Sequence, residues 1–224
     1  MRYWRPLTLL FILTLCGAAA SASQEALSQP ALFGSREVFS PDSSAFFKWH
    51  DVLDRFAGER REAAAACASG AVERCEPAEW GALVGALKGL DLRAKLDRVN
   101  AEINRHPYIP SRVNWHESNH WETPFEFLSK GGQCQDYAIA KYLLLRAAGV
   151  PDSSLRVVVL RDTQLGLDHA VTVAYVEGEA LVLDNQEREV VPASRLDHYR
   201  PYYSINEQGW WLHRVQGAQY AAIN

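Results

Sequence analysis

The chain has 224 residues and a mass of 25.1 kDa, and its 48% hydrophobic and 22% charged residues exclude the disordered, collagen-like and coiled-coil classes. One folded domain is the expectation. Formal net charge is −4 and the 23 basic residues are scattered, so the chain carries no electrostatic footprint for nucleic acid.

The N-terminus has the pattern of a targeting segment: Arg2 and Arg5, an apolar run from Leu7 to Leu15, and Ala20-Ser21-Ala22 as a small-residue cleavage signal. Residues 1–22 are therefore expected to be a cleaved signal peptide, its apolar run too short for a stable membrane span. Cleavage removes two arginines and no acid, which moves the net charge from −4 to −6. Leu15 is too large to precede a lipid-modified Cys16. Residues 23–44, rich in Ser, Ala and Pro, read as a loosely ordered lead-in ending at Pro41-Asp42, an expected helix start, and residues 45–224 read as a single domain.

From there to about residue 104 the apolar spacing is helical, with Phe46, Phe47, Trp49, Val52, Leu53 and Phe56 in one stripe and Leu83, Leu87, Leu90, Leu92, Leu96, Val99 and Ile103 in another. Both stripes are expected to pack a core, as are Trp80 and Trp115 in preference to exposed docking roles. In an exported protein disulfides persist, and Cys67 and Cys75 are eight apart around Gly70, a spacing that lets them close a short loop between two helices. Cys134 is then left unpaired.

After His106-Pro107 the chain is turn-rich and aromatic as far as Gly131-Gly132. A strong helical pattern follows over 133–148, stopped by Gly149 and Pro151. The period then switches to short β-branched runs, 155–160, 169–176 and 180–183, with Glu177-Gly178 as a hairpin turn, and Tyr202 to Arg214 as a further strand pair or an edge. Helices first and an antiparallel sheet afterwards make an α+β fold.

Cys134 opens the 133–148 helix, where free backbone N–H groups and the positive end of the dipole face its sulfur and favour thiolate, the nucleophilic form. If Glu177-Gly178 is a two-residue loop, Val176 pairs with Glu179 and Asp184 lies opposite Val171, so His169 and Asp184 are diagonal neighbours on one face. Cys134 as nucleophile, His169 as base and Asp184 as orienter form a set with recognisable roles. A one-residue slip would separate the last two. Asn185 is the alternative orienter, and the face argument favours Asp184. The backbone N–H of Cys134 is the first oxyanion donor, with Gln133 or Trp121 as the second.

The stretches GGQCQDYAIAKYLLLRAAGVP, DHAVTVAYVEGEALVLDN and YSINEQGWWLH, with NHWETPFEFL upstream, resemble the bacterial transglutaminase-like cysteine proteinases, the family of a periplasmic protease that releases large biofilm adhesins from the cell surface. The resemblance runs from about Asn100 to Leu212. It implies a papain-like core, a nucleophile helix packed on an antiparallel sheet, and an exported, periplasmic thiol endopeptidase working through an acyl-thioester. It also implies Cys134, His169 and Asp184 as the triad, the N-terminal region of a large adhesin as protein substrate, and control by an inner-membrane cyclic-dinucleotide receptor. The enzyme is expected to be a monomer. Calcium-dependent members carry acids on both sides of the nucleophile; here Gln133 and Gln135 stand there and only Asp136 is retained as a calcium candidate. Neutral amides in place of carboxylates weaken a hard-cation site, so no cofactor is expected to be required. The same triad also suits a transglutaminase or amidase, and the same fold a non-catalytic binding module.

One competing motif remains. His116-Glu117-Ser118-Asn119-His120 matches H-E-x-x-H, which binds zinc when both histidines share a helix face. Pro110 and Pro124 crowd that helix and no third ligand follows, so His116 and His120 are expected in a surface or cleft loop. Tyr137, Lys141 and Arg146 read as ordinary helix-surface or packing residues, and His50, His106, His198 and His213 are given no role.

Overall fold

A computed structural model describes residues 29–70 and 77–214. The expected signal peptide, the start of the lead-in, Cys75 and residues 215–224 lie outside the described residues, and with Cys75 the expected pairing to Cys67.

Three helices come first: α1 (Phe47–Ala68), α2 (Ala78–Ala86) and α3 (Leu92–Ile103). The first begins later than Pro41-Asp42 suggests, because Asp42 spends its carboxylate on a turn, accepting from Ser44 N at 3.0 Å, before Phe46 N closes on Ser43 O. The segment 106–132, expected as turns, holds two short helices, α4 (Ser111–Trp115) and α5 (Pro124–Lys130). Thr123 caps α5 in a reciprocal bond pair with Glu126, with Pro124 at the first helical position. The nucleophile helix is α6 (Cys134–Ala147).

The sheet follows: β2 (Leu155–Asp162), β3 (Leu167–Val176), β4 (Glu179–Leu183), β5 (Val191–Pro192), β6 (Tyr199–Asn206) and β7 (Gly209–Arg214). The lead-in adds β1 (Arg36–Ser40), which pairs with β7 and so converts an expected loose segment into the edge strand. The order is β1-β7-β6-β2-β3-β4-β5, antiparallel throughout. Mixed helices and an antiparallel sheet give the α+β class expected.

Alternate residues of β3 divide the core. Ala170 and Ala174 join the cluster between sheet and helices, whereas Val171, Val173 and Tyr175 join the one on the other face, closed by Leu32, Ala193 and Leu196. Helix α6 packs against β3 and β2 on one side and α3 and α5 on the other. It is therefore buried almost all round, from Asp136 to Leu145, rather than along one stripe.

What sets the start of α6 is a glycine corner. Gly131 ends α5 at φ 76°, and a Cβ there would meet Pro107 O at 2.2 Å; Gly132 pairs with Tyr108 in a parallel bridge, and its carbonyl accepts from Ile109 N at 3.0 Å. No side chain fits between the two segments. Gly131→Ala is expected to destabilise the protein by about 2 kcal/mol or more, from positive-φ strain together with the backbone clash, as a lower urea midpoint at unchanged m-value.

Candidate active site

The structure brings the three residues of the expected triad together. His169, on β3, places Nε2 2.8 Å from Asp184 Oδ1, just past the end of β4. The hairpin register is the one expected, Val176 opposite Glu179 and Thr172 opposite Leu183. Both turn residues take positive φ, Glu177 at 51° and Gly178 at 81°, as a two-residue hairpin loop requires.

Asp184 is buried with both oxygens occupied. Oδ1 also accepts from Gln186 N at 2.9 Å, and Oδ2 accepts from the Tyr199 hydroxyl at 2.5 Å. Burial alone would raise its pKa; the His169 bond and charge, Gln186 N–H and Tyr199 hydroxyl outweigh it and hold the carboxyl below the ordinary range. With Nε2 committed, Nδ1 is left for the thiol and, at 3.5 Å, for Gln186 Nε2. Burial disfavours the imidazolium, but hydrogen bonds to Asp184 and Cys134 and the negative charge on both prevail and push the His169 pKa up to about 9.

Cys134 is a free cysteine, half-buried at the first position of α6. The loop before it hangs on Asp136, whose Oδ2 accepts from Gln133 N at 2.8 Å and whose Oδ1 accepts from Glu122 N at 2.9 Å. Glu122, also fully buried, takes Trp115 Nε1 at 2.7 Å and Asn114 Nδ2 at 3.1 Å on one oxygen, while Oε2 has no hydrogen-bond partner. Burial first, then the neighbouring Glu122 charge, push the Asp136 carboxyl up to about 8 against its two backbone N–H bonds.

Neither candidate for the second oxyanion donor is free. The Trp121 indole N–H donates to Asn119 Oδ1 at 3.1 Å, and the Gln133 backbone N–H is held by Asp136. Tyr108, which bridges to Gly132 and has no motif in the sequence, lies close to the nucleophile. Burial and then the Cys134 charge raise its phenol pKa, against hydrogen bonds from the Gln133 side chain and the Cys134 backbone N–H. Tyr199 and Gln186 were passed over, since a lone Tyr or Gln far along the chain carries no motif.

The residues flanking the nucleophile do not fit a calcium ion. Gln133 Oε1 is taken by Ser111 N at 2.8 Å and Ser111 Oγ at 2.6 Å, and both Asp136 oxygens accept backbone N–H groups. Glu122 Oε2 alone is left unpaired, whereas calcium takes about six to eight oxygens. The zinc reading also fails on geometry. Helix α4 stops at Trp115 and His116 is left-handed at φ 58°, so His116 and His120 share no helix face. His120 stacks on Trp115 at 4.4 Å and faces Glu126 at 3.4 Å. Among the described residues no group of three or more His, Cys, Asp or Glu side chains is placed to hold a metal.

The other aromatic and basic expectations divide. Trp80 packs in the core against Phe56 and Phe125, but Trp115 is half-buried and covered by Lys130 Nζ at 3.5 Å. Tyr137 donates to His106 O at 2.5 Å, and Arg146 pairs with Glu207 at 3.1 Å near the surface. Lys141 is not on the surface at all, being fully buried. His213 is likewise buried, between the hydroxyls of Ser35 and Ser204.

Two pH dependences follow. His169 should stay protonated to about pH 9, so the alkaline limb of kcat/KM is expected there, and Asp184→Asn should move it down toward the ordinary histidine value of about 6.5, read from the pH-rate profile. Asp136 binds its proton more tightly folded than unfolded, so the stability it contributes is complete below its ordinary 3.8 and is lost as pH rises through about 8. The urea midpoint should fall as pH rises from about 4 to about 8 and level off above that, and fall less steeply in Asp136→Asn.

The comparisons with known proteins point to one family. A family model described as bacterial transglutaminase-like cysteine proteinase matches residues 67–216, well over half of the chain. Legionella pneumophila LapG is 35% identical, over 60% of this chain and 76% of that one, with a TM-score of 0.55. Its calcium-bound form is 33% identical over 65% and 82%, with a TM-score of 0.56, and an EGTA-treated form matches similarly. No curated protein is matched. With a free cysteine at a helix start beside a buried His–Asp pair, and a matching model that spans all three, the chain belongs to the bacterial transglutaminase-like cysteine proteinases and is a cysteine peptidase.

Proposed function

We propose that the protein is an exported thiol endopeptidase with Cys134, His169 and Asp184 as its triad. The observation that carries this is the meeting of a free Cys134 with a His169 ring already tied to a fully hydrogen-bonded Asp184 at 2.8 Å. The Cys134 thiolate attacks the scissile carbonyl carbon, and the His169 imidazolium gives its proton to the leaving amine as the C–N bond breaks. The resulting thioester is cleaved by water, whose proton returns to His169 while the thiolate leaves. Asp184 holds the ring and stabilises its charge, and the Cys134 backbone N–H turns from the Tyr108 hydroxyl to the oxyanion as it forms.

A groove of about 600 Å³ beside the nucleophile, lined by Pro110, Arg112, Val113, Asn119, Gln133 and Gln135, gives an extended peptide room to lie against the thiol. The substrate class follows from the family resemblance: the N-terminal region of a large surface adhesin, processed in the periplasm under an inner-membrane cyclic-dinucleotide receptor. Export by residues 1–22, a Cys67–Cys75 bridge and a monomeric state belong to the same reading. Calcium is not required in this reading, because Gln133 and Gln135 stand where calcium-dependent relatives carry acids, and Gln133 and Asp136 are already bonded to Ser111 and to backbone N–H groups.

The test is cleavage of an adhesin N-terminal fragment by the purified protein. Cleavage should persist in EGTA and in phenanthroline and be abolished by iodoacetamide and in Cys134→Ala. Loss of activity in EGTA, restored by calcium, would overturn the calcium-free reading, and an active Cys134→Ala protein would remove the triad.

A further inference from the structure

Lys141 lies on α6 two turns beyond Cys134 and is fully buried, an environment in which an ammonium group is costly and an alkyl side chain of the same length would pack without penalty. Its Nζ donates to Asn100 Oδ1 at 2.8 Å. Asn100, fully buried on α3, turns its amide onto the chain beyond Asp184, donating to Glu187 O at 3.1 Å and Arg188 O at 3.4 Å. One turn further, Asn104 Nδ2 donates to Asp184 O itself at 2.8 Å and to Glu187 O at 3.1 Å.

The segment after β4 has left the sheet, so its carbonyls need donors from elsewhere. Those donors all come from one face of α3, and Lys141 ties that face to the helix bearing Cys134. Burial lowers the Lys141 pKa to about 7, and the Asp184 charge opposes that shift without reversing it.

We propose that Lys141 and Asn100 are positioning residues, which join the nucleophile helix to the 184–188 segment so that Asp184 stays at bonding distance from His169 while Cys134 keeps its register with both. This rests on the triad reading. The route is Lys141 to Asn100, Asn100 to the Glu187 and Arg188 carbonyls, and through that short segment to the carboxylate. Asn104 holds the near end of the same segment, and Lys141 is the only link of the set that reaches from α6.

Alkylation of Cys134 by iodoacetamide, followed by mass spectrometry of its peptide across pH 5–9, reports the cysteine–imidazole pair without needing a substrate. In Lys141→Met and Asn100→Leu the rate at neutral pH is expected to fall by about tenfold or more, with the pH profile drawn toward that of a free thiol. The double variant should be no slower than the worse single one, because both act along one route. Asn100→Asp, which keeps the acceptor for Lys141 and loses the two donors, serves if either larger change prevents folding, and should show the same loss. Variants that melt at lower temperature yet keep the wild-type alkylation profile would overturn the proposal and leave these residues as packing. A wild-type Cys134 that already alkylates as a free thiol would instead remove the triad reading on which it rests.

Discussion

A single buried hydrogen bond, from His169 Nε2 to Asp184 Oδ1, organises the chemistry of this molecule, because it joins two strands of one hairpin at the end nearest the nucleophile. An imidazole taken out of water would ordinarily lose its proton. Here the carboxylate beside it, itself held by Gln186 N and the Tyr199 hydroxyl, reverses that tendency and keeps the ring charged well above neutrality. The bond depends in turn on hairpin register. With Val176 opposite Glu179, His169 and Asp184 share a face, and a slip of one residue would send one of them through the sheet. The two-residue turn at Glu177-Gly178, with both residues at positive φ, is what keeps that register.

The nucleophile is placed by a different device. Gly131 and Gly132 let α5 and α6 meet against the 107–109 segment with no room for a side chain, and Asp136 then collects the N–H groups of Gln133 and Glu122 so that the loop leading to Cys134 has one conformation. Two buried carboxyls are an expensive way to build a corner, and both resist ionisation, first through burial and then through a neighbouring charge, Glu122 for Asp136 and Glu126 for Glu122. A bound cation is one physical solution to such a cluster. In this chain Gln133 and Gln135 flank the nucleophile, Ser111 donates to Gln133 Oε1, and burial raises the Asp136 pKa to about 8.

Much of this was legible in the residues. The switch from helical to alternating periodicity announced helices followed by an antiparallel sheet, and the Glu-Gly turn was enough to pair the strands correctly. Thr123-Pro124 with Glu126 three residues after the cap was an unread signal for α5. Other features had no local signature. Strand β1 lies in a Ser- and Ala-rich stretch and exists because β7 offers it an edge, and the indole of Trp121 is lost as an oxyanion donor because Asn119 Oδ1, two residues away, accepts its hydrogen bond.

The sequence by itself determined the fold class, the helix that presents Cys134 and the hairpin that aligns His169 with Asp184, since each follows from spacing, turn chemistry and strand period within about twenty residues. It also favoured a loop over a zinc-binding helix at His116 and His120, through the prolines and poor helix formers around them. Only the tertiary structure decided that Tyr199 braces the acid, that Tyr108 stands over the start of α6, and that Lys141 is a buried link to Asn100 rather than a surface charge. Those contacts join residues from about 15 to 41 positions apart on different elements, and no pattern along a chain records which side chains two packed elements will bring face to face.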